Sequence, residues 1–466
     1  MDQKQAKISF SDLLREGGGS GSAVEINGVA GSARAAVLTR IYQARREPLL
    51  VVLPDSKSAQ TFIQDLRFFT ARVEMPLIYF PPYDLLPYKF ISYHNEIAAG
   101  RIRALYQLLE APRPPVVVTT VAGVMQRLIP KGELSDFTEL LMAGEEIDPE
   151  ALLQKLSMGG YTRSMLVEET GDFCMRGGIL DLFCPLYDDP LRIEFFGDMV
   201  ESLRFFSAGT QRTKAQIDDA VVLPARETLI KIGTLDQTLA RIRAQASELE
   251  VPVTQVRQVV SRIKEEGIFP GIDGLMPLMY EQTDTLFDYL PASTCIVPVE
   301  PAQIEEAAAS FLAKAEEGYD QARDAQRLCV APGALYLTTD ELKDRLNADR
   351  LLALKALPVQ RREGAVVTPA VCSLEIKDTS DLSQALKAEL RSETPFEPLM
   401  AWLREQQAQG RVSVCACHSQ AQADRLTALL ANYEIRAASA DGVPSVEHNA
   451  GMVYTVVGEV SAGLLW

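Results

Sequence analysis

Short apolar runs alternate with amphipathic stretches over the first 130 residues. Ser22 to Ile26 reads as a strand and Ser32 to Arg45 as a helix. Leu49 to Leu53 contains no polar residue and reads as a strand buried on both faces. Pro54 and Asp55 stop that strand and cap a helix whose Phe62, Leu66 and Phe69 share one face. Leu77 to Phe80 and Val116 to Thr120 supply further strands, with a helix from about Asn95 to Leu109 between them. Strand–helix alternation with short links predicts a parallel sheet covered by helices.

From about Tyr161 the period changes to two. Ser164 to Thr170, Phe173 to Arg176, Ile179 to Cys184, Leu191 to Phe196 and Met199 to Phe206 are strand-like. Gly171-Asp172, Gly177-Gly178, Asp188-Asp189-Pro190 and Gly197-Asp198 separate them as hairpin turns. A helix around Pro149 to Ser157 precedes this antiparallel module. Helical periodicity resumes over Leu235 to Glu266 and Ala302 to Gln326, around a loop with Phe269-Pro-Gly-Ile-Asp273 and the strand Cys295 to Val297. Beyond Leu351 a separate α/β segment is expected, with helices Ser380 to Leu390, Phe396 to Gln409 and Ser419 to Tyr433 around the strand Val412 to Cys417. The reading is a multidomain α/β chain. Residues 1–130 and 214–349 form one parallel-sheet domain, 131–213 an inserted β-rich module, and 350–466 a small C-terminal α/β domain. The apolar stretch Met452 to Trp466 suggests a piece of a longer protein.

Charge narrows the function. Asp plus Glu number 63 against 46 Lys plus Arg, a formal net charge of -17. Such a chain repels a phosphate backbone unless it concentrates basic residues in a patch. No apolar run approaches the length of a membrane-spanning helix. The acidic N-terminus lacks a signal core, and seven cysteines read as buried thiols, so a cytoplasmic protein is expected.

The first strand runs into Gly28-Val-Ala-Gly-Ser-Ala-Arg-Ala35 and then a helix, where a phosphate-binding loop would lie. Gly28 and Gly31 are present. Ala33 stands where the second essential glycine should be, Arg34 replaces the lysine, and Ala35 replaces the magnesium-binding hydroxyl. The turn is either a phosphate loop that has lost its chemistry or a glycine-containing turn that never had any. Neither predicts nucleotide hydrolysis. Between Tyr161 and Thr213 the chain holds Arg163, Arg176, Arg192, Arg204 and Arg212 and no lysine. Arginine desolvates more easily than lysine and pairs bidentately with carboxylates, which suits a protein interface. Arg192 and Glu194 alternate with Ile193 and Phe195, so the charged pair leaves the face opposite the apolar pair. Surface pairing with the module's nine acids is the alternative.

The glycine turn, the segment Tyr79-Phe-Pro-Pro-Tyr-Asp84, the β-module Gly171 to Thr213 and Phe269 to Asp273 together resemble the N-terminal part of bacterial transcription-repair coupling factors. That region is itself similar to the repair protein UvrB. The resemblance implies a UvrB-like domain whose second acidic motif has Val299 in place of a metal-linked Asp, with Glu300 retained. It implies that the β-module docks UvrA through Arg163, Arg176, Arg192, Glu194 and Arg204, with Cys174 where UvrB has another arginine. It implies a non-catalytic adaptor for transcription-coupled nucleotide excision repair. RNA polymerase binding and ATP- and Mg²⁺-dependent translocation on DNA would lie downstream, leaving this chain without a cofactor. The alternative is a UvrB-like ATP-dependent DNA helicase or damage-binding protein. The short segment Asp84 to Asn95 leaves no room for UvrB's damage-probing hairpin. Its Tyr88, Phe90 and Tyr93 are expected as core plugs rather than base-stacking platforms. Cys415, Cys417 and His418 suggest a metal only superficially, since a strand turns the histidine to the other side. His94 and His448 stand alone, and Gly17 to Gly21 is expected to be a flexible entry. Glu316, Glu317, Asp320 and Asp324 mark a solvated helix face.

Overall fold

The computed structural model describes residues 7–15, 23–83, 85–91, 93–347, 350–358, 369–391, 394–444 and 450–466. The glycine entry at 17–21, Asp84 and His448 lie outside the described residues. The chain is a mixed α/β, multidomain protein with both parallel and antiparallel sheets.

The opening alternation forms β1 (Val24–Asn27), α1 (Ala33–Arg45), β2 (Leu49–Leu53), α2 (Ser56–Phe69), β3 (Leu77–Phe80), α3 (Asn95–Leu109) and β4 (Val116–Thr120). Every residue of β2 and β4 is buried, which is why both are continuous apolar or β-branched runs. The Asp55 carboxylate accepts the Ser58 amide at 2.8 Å and starts α2, whose Phe62 and Leu66 enter the core.

The inserted part comprises β5 (Glu139–Met142), α4 (Pro149–Met158), β6 (Thr162–Arg163), β7 (Asp172–Arg176), β8 (Ile179–Leu182), β9 (Leu191–Phe196), β10 (Met199–Phe206), β11 (Thr213–Ile217) and β12 (Asp219–Val222). Six of these strands form one sheet in the order β11-β10-β9-β8-β7-β6, antiparallel except for the β6–β7 pair. β12 returns to pair with β5, so the antiparallel region continues past 213. The strand expected over Ser164 to Thr170 does not form. The Asp172 carboxylate accepts the amides of Glu168 and Glu169 and holds that stretch as a turn.

Helical periodicity from Leu235 yields two helices, α5 (Leu235–Glu248) and α6 (Val253–Glu265), broken before Pro252. β13 (Cys295–Pro298) pairs in parallel with β2, and α7 (Pro301–Asp324) follows it. β14 (Leu352–Lys355) and β15 (Ala370–Ser373) flank β1 in parallel register. Bridges from Ile296 to Leu351 and from Val299 to Leu354 join the two groups of strands. The parallel sheet therefore runs β3-β4-β2-β13-β14-β1-β15. A boundary at 350 would cut it, because β14 and β15 supply both neighbours of β1. The remaining chain forms α8 (Ser380–Glu389), α9 (Glu397–Ala408), β16 (Ser413–Cys417), α10 (Gln420–Asn432), β17 (Ala437–Ala440) and β18 (Val453–Val457). Its three strands make a parallel sheet in the order β16-β18-β17.

Candidate functional site

Residues 28–32 connect β1 to α1, whose first turn holds Ala33 to Ala35, and the structure brings Arg34 of that turn against Glu300. Gly28 has φ of 84°, and a Cβ there would lie 2.0 Å from the Leu374 carbonyl oxygen. This glycine is therefore required by the chain leaving β15. Ala33 and Ala35 are buried in the sheet–helix core. Arg34 donates through Nη2 to Glu300 Oε1 at 2.5 Å and through Nε to the Val29 carbonyl. Glu300 also accepts the Ala356 amide at 2.9 Å. Val299 is fully buried beside β14. At the first turn of α1, Ser32 donates its hydroxyl to the Ala462 carbonyl at 2.6 Å. Ser461 donates its amide and its hydroxyl to Asp65 on α2, both at 2.6 Å. Arg34, Ser32 and Glu300 are thus all engaged within the chain.

The second candidate is the outer face of the six-stranded sheet. Along β9, Leu191, Ile193 and Phe195 are buried while Arg192 and Glu194 point outward, as their alternation requires. Asp181 pairs across from Arg192, and Arg192 from Arg204. Arg192 clamps Asp181 with two bonds of 2.7 and 2.8 Å and stacks over Phe206 at 4.6 Å. The Asp181 hydrogen bonds push the Arg192 guanidinium above its ordinary pKa. Arg204 binds Glu194 at 2.6 Å, and Ser202 donates to the same carboxylate. Arg192, Arg204 and Glu194 are therefore neutralised inside the module. Arg163 is exposed on β6. Arg176 is 58% exposed and reaches Asp181 only at 3.6 Å. Cys174 is buried with Val167 and Phe206, under the 164–170 turn, where an arginine head would not fit.

Sequence reasoning missed the apolar side chains on the face that carries Arg176. Ile179 pairs with Arg176 and Glu194, and Phe196 pairs with Met199, all on this outer face. Phe196 is 74% exposed. The available signal was the Phe195-Phe196 doublet beside the Gly197-Asp198 turn, where one of two adjacent rings must face water.

The aromatic segment after β3 is packed inward. Tyr88 and Tyr93 are buried, and the Tyr88 hydroxyl donates to the Val330 carbonyl at 3.1 Å. Tyr83 stacks on Tyr93 with centroids 3.7 Å apart, and its ring lies 4.3 Å from the Arg101 guanidinium. Arg101, wholly buried, is bonded to Glu227 at 2.5 Å and to Gln126 at 2.6 Å. Asp273 of the Phe269–Asp273 loop binds Arg226 and Thr228, and burial pushes its carboxyl pKa up. Gly271 has φ of 92° and sits against Phe90, where a Cβ would crowd the backbone at 3.1 Å. These groups fasten the loop to the core. In the C-terminal sheet, burial pushes the Cys415 thiol up to about 11, and His418 faces Glu459 at 3.2 Å. Among the described residues no group of three His, Cys, Asp or Glu side chains is placed to hold a metal, and no helix is long and apolar enough to cross a membrane.

Residues 140–227, which contain the whole arginine-bearing face, match the family model of the UvrB interaction domain. The chain is thus a multidomain α/β protein carrying a UvrB interaction domain. Over 420 residues it is 30% identical to the transcription-repair-coupling factor of Myxococcus xanthus, covering 88% of this chain and 35% of that protein. The corresponding proteins of Haemophilus influenzae and Escherichia coli are 30% and 29% identical over 72% and 68% of this chain. The chain belongs to the family of the transcription-repair-coupling factors, matching their N-terminal region, and spans between 27% and 35% of the length of these relatives.

Proposed function

We propose that this chain is a non-catalytic adaptor of transcription-coupled nucleotide excision repair, acting in the cytoplasm, and that the outer face of its β-module recruits UvrA. The observation that carries this reading is that exposed Phe196 and weakly paired Arg176 share one sheet face, two strands apart, inside the matched domain. A solvent-facing aromatic on the same face as a weakly paired arginine is the composition of an interface hot spot. Arg163 is exposed on the edge strand β6, but its register opposite Phe173 turns it to the other face, while Arg192, Arg204 and Glu194 hold the shape of the outer one. The β1–α1 turn is read as a degenerate phosphate loop. Its occupation by Ala462 and the Arg34–Glu300 pair argue against the helicase alternative. RNA polymerase binding and ATP-driven movement on DNA are assigned to the part of the longer relatives that this chain does not match.

The test is UvrA affinity for the wild type, Arg176→Glu, Phe196→Ala and the remote surface variant Arg257→Glu, with thermal melts. The first two should weaken binding by about thirtyfold or more, and Arg257→Glu should not. Wild-type affinity in both Arg176→Glu and Phe196→Ala would remove the assignment.

A further inference from the structure

Three concavities, two on the parallel-sheet domain and one between it and the C-terminal sheet, share lining residues. A cleft of about 660 Å³ opens at the C-terminal ends of β2, β3 and β4, where Pro54, Pro81 and Val121 line it. Ligands of open α/β sheets bind at this end of the strands. On one side it shares Gln60 and Tyr79 with a cleft of about 580 Å³ between α2 and β18. On the other it shares Leu86, Lys89 and Lys314 with a cleft of about 320 Å³ that ends at Arg327. The result is a continuous trough.

Its chemistry is uneven. Lys89 and Lys314 stand at the junction of two clefts, are exposed, and have no carboxylate partner among the described residues. In the central cleft the lining carboxylate is Asp55, already engaged in capping α2. Glu317 in the smaller cleft accepts from Gln321, and Glu459 at the far end accepts from Gln64. The walls are apolar, with the prolines joined by Leu86 and Phe311. Aromatic rings are present, but their faces are not free for bases. Tyr83 lies between Tyr93 and Arg101, Phe311 packs edge-on against Tyr336, and Arg327 lies over the Phe90 ring. A single nucleic-acid strand needs open stacking platforms as well as cations, so the trough lacks half of that requirement.

We propose that the trough is a docking groove for an extended acidic polypeptide segment. Its carboxylates would meet Lys89 and Lys314, and its apolar side chains would meet the proline and leucine walls. The choice of ligand rests on charge complementarity at Lys89 and Lys314 and on the run of three clefts that share lining residues. It is independent of the UvrA surface, which lies on the β-module.

The experiment is fluorescence anisotropy on the whole chain with two probes. One is a labelled peptide alternating Glu and Leu, the other a labelled oligothymidylate of similar length. The peptide should bind more tightly than the oligothymidylate, and more weakly as salt rises. Lys89→Glu/Lys314→Glu should weaken peptide binding by about tenfold or more without shifting the melt, while Arg176→Glu leaves it unchanged. Lys314→Ala alone keeps the test readable should the double reversal lower the melt, with a smaller loss in the same direction. Absence of peptide binding, indifference to both lysine variants, or preference for oligothymidylate would each overturn the proposal.

Discussion

Arg34 and Glu300, 266 positions apart in the chain, meet through a 2.5 Å contact that ties the start of α1 to the start of α7. Both side chains are largely shielded, so the pair gains more than a surface pair but pays some desolvation. Arg34→Glu should destabilise the fold by about 1–3 kcal/mol in denaturant unfolding. The exchange Arg34→Glu/Glu300→Arg should recover part of that loss. Recovery will be incomplete, because an arginine at 300 cannot accept the Ala356 amide. Equal stability of the single and exchanged variants would show that the pair contributes nothing.

ATP with Mg²⁺ should give no binding heat in titration calorimetry. Nor should Ala33→Gly/Arg34→Lys/Ala35→Ser restore it, because Ala462 still occupies Ser32 and Val299 still offers no metal ligand. A micromolar dissociation constant in either protein would refute the occlusion.

The two arginines that share Asp181 should behave differently. Asp181 is almost wholly buried, and Arg192 supplies both of its short bonds. Arg192→Ala should cost about 2–4 kcal/mol by leaving that carboxylate underpaired. Arg176→Ala should cost less than about 1 kcal/mol, since its head is mostly in water. Equal losses would mean that Arg176 is structural rather than available to a partner.

Asp65 gives a pH signature. Burial raises its carboxyl pKa above 3.8, outweighing the two bonds from Ser461. The folded chain therefore holds this proton more tightly than the unfolded chain. The resulting stabilisation is complete below the unfolded value and is lost as pH rises through the folded one. Asp65→Asn keeps a neutral group that can meet Ser461 at every pH. Its melting temperature should match or exceed wild type near neutrality, and should change less between about pH 4 and 7. A steeper profile in the variant would reverse the assignment.

Local pattern carried much of the fold. β2 and β4 are apolar from end to end, and α2 shows its cap and its buried face in sequence. The alternation along β9 by itself places Arg192 and Glu194 outward. What escaped was non-local. Nothing near Val24 marks residues 352–355 and 370–373 as its partners, because parallel strands need no sequence proximity. Ser461 and Ala462 have no motif that announces contact with Asp65 and Ser32. The division of labour between Arg176 and Arg192 depends on which one Asp181 faces, a matter of cross-strand register rather than composition.

The placement of β1 between β14 and β15 constrains how the protein can be made. As the chain leaves the ribosome, β1 emerges early with both edges bare, and neither is covered until residues 352–373 have followed. During that interval the strand offers two rows of unpaired amides and carbonyls, the template for mispairing with another nascent chain. A shortened gene product ending at 349 would keep this exposure permanently. It should accumulate as aggregate, whereas one ending just after β15 should have the strand covered on both sides.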